Sequence, residues 1–180
     1  MIYGIERFAI CGGQRVKHHE EMAKIETACR PEANDIYREI FPLINPIEKE
    51  DRVDVLSRNA KRDLIEGIDV VLNLRDGKKV SVQEKFLTYH KDTLTVQVQG
   101  YNGKRGTWYT CSANFYLVAY AKAWPTDPAL RSWILVDRQL LAGQSNLPWK
   151  RKANQKDGQV EFDYLQFDEV PADCIYAQSF

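Results

Sequence analysis

The chain has 180 residues, 44% of them hydrophobic, and its 25 Lys and Arg balance 25 Asp and Glu. That length suits a single domain over residues 1–180 with an ordinary core. The absence of any apolar run of about 18 residues excludes a membrane-spanning helix. Zero net charge excludes a broadly basic protein that coats nucleic acid.

The start, MIYGIERFAICGGQRVKHHEE, lacks a basic region followed by an unbroken apolar stretch, so no secretory signal is expected. Cys11, Cys29, Cys111 and Cys174 are scattered without a C-x-x-C pair. His18, His19 and His90 lack metal-ligand spacing. Neither a zinc site nor a disulfide framework is expected, and a reducing, cytoplasmic setting is. The charge is divided unevenly along the chain. Residues 1–50 carry −2, residues 51–156 carry +8, and residues 157–180 carry −6 with no Lys or Arg.

Residues 15–29 read as a polar helix. Arg30-Pro31 should interrupt it, because the residue before proline avoids the helical region. Pro31 then suits the first turn of a second helix, PEANDIYREIF, ended by Pro42 and Pro46. Residues 47–66 are charged and irregular, with a short strand at Val53–Leu56. Ile68–Leu74 reads as a strand, Arg75-Asp76-Gly77 as a turn, and Lys79–Tyr89 as a second strand. Thr93–Gln99 alternates as a third. Asn102-Gly103 and Gly106 mark a turn before residues 107–112. Asn114–Trp124 reads as an apolar helix closed by Pro125. Ser132–Asp137 is a buried strand, DRQLLAG a helical turn, 144–157 a polar linker, and Val160–Phe167 a last strand. This order implies an α/β or α+β fold, a mixed sheet with helices packed on it.

The chemistry concentrates in the hairpin. Successive strand side chains point to opposite faces, so one residue of register decides what meets what. A two-residue Asp76-Gly77 turn sets Asp69 opposite Glu84 and mixes Ile68, Val70 and Leu72 with Lys85, Gln83 and Ser81. A three-residue loop with Gly77 in the left-handed position sets Asp69 opposite Gln83, Val70 opposite Val82, and Leu72 opposite Val80. Hydrophobic consistency favours the second register. It gathers Asp69, Asn73, Ser81, Gln83 and Lys85 on one face. Glu84 then points into the apolar face and needs an Arg or Tyr partner. In the other register Glu84 joins Asp69. A carboxylate with a neutral oxygen is a partial shell for Mg²⁺, and a neighbouring lysine can orient water or neutralise phosphate.

GIDVVLNL-RDGKK-VSVQEKF resembles the core hairpin of the PD-(D/E)xK nuclease superfamily. Asp69 matches that family's aspartate, Lys85 its lysine, and Gln83 the usual acid, giving a Q-x-K variant. The resemblance covers about residues 32–137. It implies a restriction-endonuclease-like mixed central sheet flanked by helices, and Mg²⁺- or Mn²⁺-dependent cleavage of DNA, less often RNA. Asp69 and Gln83, or Glu84, would hold the metal, and Lys85 would position water. Glu39 or Asp35 on the preceding helix would add a further acid. The alternative is an inactive nuclease-fold domain that binds DNA or protein, and a dimer is compatible with either. The N-terminal helix and acidic tail have no counterpart in the resemblance.

Lys150, Arg151, Lys152 and Lys156, after Trp149, form a basic cluster that can track phosphates beside a stacking ring. Arg58, Lys61 and Arg62, which precede Asp69, can line a DNA groove. Trp108, Tyr109, Phe115, Tyr116 and Tyr120 read as core. The acidic tail is expected either far from DNA or over the cleft.

Overall fold

A computed structural model describes residues 14–45, 47, 67–88, 91–100, 103–153 and 160–180. Arg58, Lys61, Arg62, His90, Lys156 and the strand expected at 53–56 lie outside the described residues. The fold is α+β, with a mixed central sheet as expected, and it has three layers.

One helix, α1 (Gln14–Ile40), carries the first layer. Ile25, Cys29, Ala33, Ile36 and Tyr37 recur at helical spacing and are buried, forming one stripe. The expected break at Pro31 does not occur: Pro31 lies inside the helix, with its ring on the exposed side. An interior proline costs about 3 kcal/mol. Burying Ile25 on one side of it and Ile36, Tyr37 and then Phe41 on the other returns about 1.5–3 kcal/mol for each large side chain. Packing therefore carries the helix through the proline.

The central sheet has the order β1-β2-β4-β5-β8. These strands are β1 (Val70–Asn73), β2 (Lys79–Leu87), β4 (Phe115–Ala123), β5 (Asp127–Asp137) and β8 (Ile175–Ser179). β2 and β4 are parallel, and the other neighbours are antiparallel. Between β2 and β4 the chain passes through β3 (Thr93–Gln99) and the short helix α2 (Thr107–Thr110). After β5 come α3 (Arg138–Gly143), β6 (Lys150–Ala153) and β7 (Glu161–Gln166). β3, β7 and β6 form a second, three-stranded sheet.

The helix expected at Asn114–Trp124 is strand β4. Tyr116, Val118 and Tyr120 face the second sheet; Leu117, Ala119 and Ala121 face α1; all six are buried. A central strand buried on both faces reads as an unbroken apolar run, which periodicity cannot tell from a buried helix. The layer opposite α1 is therefore a sheet where a packing helix was expected.

The two sheets meet through an unusual contact. β3 is an edge strand, and edge carbonyls must find donors when buried. The Tyr116 hydroxyl donates to Thr95 O at 2.9 Å. The Tyr120 hydroxyl donates to Thr93 O at 2.8 Å and lies 3.2 Å from the Thr93 N–H. Side chains of β4 thus close the edge of β3.

The uneven charge resolves in the second sheet. Lys150 pairs with Glu169 at 2.8 Å, and Arg151 with Asp163 at 2.8 Å and Glu161 at 3.3 Å. The acidic tail supplies β7, the middle strand, and β8, an edge of the central sheet. Its described residues are built into both sheets, and Phe162 of β7 lies against Lys85. No described helix is long and apolar enough to cross a membrane.

Tyr120→Phe should cost about 1–3 kcal/mol, because the Thr93 backbone groups lose their partner in a buried place. Urea unfolding measures this, and a change within about 0.5 kcal/mol would refute the edge-closing role. Ending the chain after residue 156 removes buried Leu165, Phe167, Val170 and Cys174. Such a chain should show no cooperative thermal transition by circular dichroism; a sharp transition near the full-length midpoint would show the tail to be dispensable.

Candidate functional site

The hairpin has the three-residue register. Val70 pairs with Val82 and Leu72 with Val80. Gly77 has φ +81° and its N–H donates to Leu74 O at 3.0 Å, closing the loop. Asp69 grips β2 on both sides of Gln83: its N–H donates to Val82 O at 2.9 Å, and its carboxylate accepts the Glu84 N–H at 2.6 Å. Asp69 is thus bound to β2 on either side of Gln83, one step beyond the last regular pair, Val70 and Val82. Ile68 packs with Val71, Cys111 and Ala113 and not with Val70 and Leu72, so the expected alternation breaks at Asp69.

Glu84 takes the other face. Its carboxylate accepts the Tyr37 hydroxyl of α1 at 2.9 Å. This is the partner the favoured register demanded, and it removes Glu84 from the alternative metal shell. Glu84 also helps raise the nearby Cys29 thiol to about 11, behind burial and Glu32. Glu39 is exposed and lines a groove with Arg38, Pro42, Ile44 and Arg75, at the turn end of the hairpin. Asp69 is six residues from Arg75, about 20 Å along extended chain, so Glu39 does not join it. Asp35 pairs with Arg38 on the exposed side of α1.

Lys85 shares the face of Gln83, and it reaches toward the second sheet. Its Nζ donates to Thr95 O at 3.3 Å and lies 4.9 Å from the Phe162 ring centroid. Desolvation lowers its pKa to about 8. Lys85 thus also helps close the β3 edge.

Gly67 explains the G-I-D opening. Its φ of +60° is the left-handed region, and a Cβ there would come within 3.2 Å of both Gln83 Nε2 and Cys111 Cβ. The Cys111 thiol donates to Gly67 O at 3.3 Å. Burial raises the pKa of that thiol; Arg138 opposes the rise and Asp69 adds to it, so both charges lie within electrostatic reach. Arg138 was not foreseen. It follows Ile134 and Val136 in alternation, which puts it on this same face. Its guanidinium donates to Trp108 O at 2.7 Å and lies 5.3 Å from the Trp108 ring centroid, and its buried Nε finds no hydrogen-bond partner among the described residues.

The candidate metal donors, Asp69 and Gln83, are one carboxylate and one carboxamide. Among the described residues no group of three or more His, Cys, Asp or Glu gathers to hold a metal. The pair fits a hard cation that keeps most of its waters and takes further oxygens from a phosphate, and does not fit an ion caged by protein alone. Of the basic cluster, Lys150 and Arg151 are engaged by the tail, and Lys152 is exposed. Trp149 packs edge-on against Trp108, with centroids 6.3 Å apart, and stays part-buried. Comparison with protein-family models, curated proteins and solved structures gives no match.

The Lys85 shift has a definite sign. Its folded pKa lies below the unfolded value, so between about pH 8 and 10.5 the unfolded chain holds the extra proton. Its contribution to stability should therefore rise with pH across that window, by up to about 1.4 kcal/mol per unit. The buried thiols act in the opposite sense, so the difference between wild type and Lys85→Met isolates the lysine. Parallel urea-unfolding profiles for the two proteins from pH 7.5 to 10.5 would refute the shift.

Proposed function

We propose that this chain is a metal-dependent phosphodiesterase that cleaves nucleic acid, with DNA the preferred substrate and RNA the lesser one. The observation that supports the reading is Asp69 hydrogen-bonded to β2 on both sides of Gln83, with Lys85 two residues further along that strand. Asp69 and Gln83 would hold Mg²⁺ or Mn²⁺, which supplies Lewis-acid polarisation of a phosphate when bound. Asp69 is fixed by the Glu84 N–H and a carboxylate keeps lone pairs to spare, so it binds without reorganising. Gln83 adds an oxygen without charge, which leaves the site less negative than one with two acids and favours approach of a polyanion. Lys85 would hold a proton-bearing nitrogen beside the attacked phosphate, orienting water or neutralising charge.

A second reading is a binding domain on the same scaffold without cleavage. It is favoured by the engagement of Lys85 with Thr95 O and Phe162, and by the single carboxylate.

The test is incubation with single-stranded, duplex and branched DNA and with RNA, in Mg²⁺ or Mn²⁺. Asp69→Asn and Lys85→Ala should each slow cleavage about 100-fold or more. Glu39→Ala should leave it unchanged. Cleavage that survives Lys85→Ala overturns the enzyme reading. Binding without cleavage of any substrate selects the second.

A further inference from the structure

Beyond Arg138 the site face leads to an exposed patch around α2. That helix turns Trp108 inward and Tyr109 outward; Trp108 is buried, whereas Tyr109 is 47% exposed and so departs from its expected place in the core. The guanidinium of Arg105 lies 5.0 Å from the Tyr109 ring centroid. Lys104 beside it is exposed. No acidic residue occurs between Gly100 and Cys111, so Lys104 and Arg105 are not offset locally in sequence.

An exposed ring flanked by cations is the chemistry that takes an unstacked base and its phosphates. Every base offers a π-face, and guanidinium groups suit phosphate oxygens. Bases inside a duplex are stacked on their neighbours and cannot lie on a lone tyrosine.

We propose that Tyr109 and Arg105 bind single-stranded nucleic acid, Tyr109 stacking one base and Arg105 with Lys104 contacting the flanking phosphates. The inference deepens the nuclease reading and rests on it for direction. Tyr109 stands two residues before Cys111, whose thiol bonds to Gly67 beside Gln83. A strand held at Tyr109 therefore leads toward Asp69 and Gln83, and the substrate class is single-stranded or frayed.

Binding and cleavage separate the two ideas. Fluorescence anisotropy with labelled oligo-dT, oligo-U and a duplex of equal length, in EDTA so that nothing is cut, reads binding alone. The single strands should bind at least about tenfold tighter than the duplex. Tyr109→Ala should weaken them about tenfold, within the range for loss of one stacked base. Tyr109→Phe should restore most of the affinity, and Arg105→Ala should weaken binding and flatten its salt dependence. An unchanged melting temperature checks that each variant folds. The oligo-dT and oligo-U arms tell DNA from RNA. Single-strand affinity unchanged in both Tyr109→Ala and Arg105→Ala overturns the inference, as does duplex bound equally well. Binding through Tyr109 without cleavage overturns the enzyme reading alone. Cleavage with Tyr109-independent binding overturns the inference alone.

Discussion

The pairing of β1 with β2 is the constraint on which the rest depends. With Gly77 at φ +81°, the loop holds three residues and Val70 meets Val82. Slipping that pairing by one would present the apolar residues of β1 to the second-sheet side of β2. It would also set Asp69 opposite Glu84, whose carboxylate meets Tyr37 on the α1 face. One register thus builds the α1 core on one face and assembles the polar group on the other. The carboxylate of Asp69 reinforces it by accepting a β2 N–H where regular pairing gives out.

The face opposite α1 poses a harder problem, because the layer that covers it is itself a sheet with an open edge. The edge carbonyls of Thr93 and Thr95 are buried under that contact, and water cannot serve them. Tyr116, Tyr120 and Lys85 supply the donors instead. Each reaches out of the central sheet with an apolar body and a polar tip, so one side chain fills the interface and satisfies it. The tail completes the layer by placing acids beside the basic residues of β6. Exposed ion pairs of this kind contribute little net stability, so they select the partner strand more than they hold it.

The hairpin was legible in the sequence because two independent signals agree there: alternation of apolar residues and a glycine where the loop needs a left-handed residue. The partner of Glu84 was legible for a related reason, since a carboxylate on an apolar face must find a donor, and Tyr37 is it. β4 was not legible, because burial on both faces erases the period that separates strand from helix. The passage of α1 through Pro31 was not legible either, since the compensation comes from a sheet distant in sequence. β6 and β8 are short and lie at sheet edges, so neither carries a pattern of its own. Arg138 could have been found by extending the alternation of Ile134 and Val136 one step further.

Lys85 is where the fold and the proposed chemistry share one group. Desolvation by the second sheet brings its pKa down to about 8, and the same enclosure ties its Nζ to Thr95 O. A lysine committed to an edge carbonyl serves a phosphate only if the exchange of acceptors costs little. The Thr95 carbonyl already accepts the Tyr116 hydroxyl at 2.9 Å, so it keeps a donor when Lys85 leaves. A phosphate oxygen is the stronger acceptor, since both partners are then charged. The second donor at Thr95 thus makes the structural role of Lys85 compatible with release to a substrate.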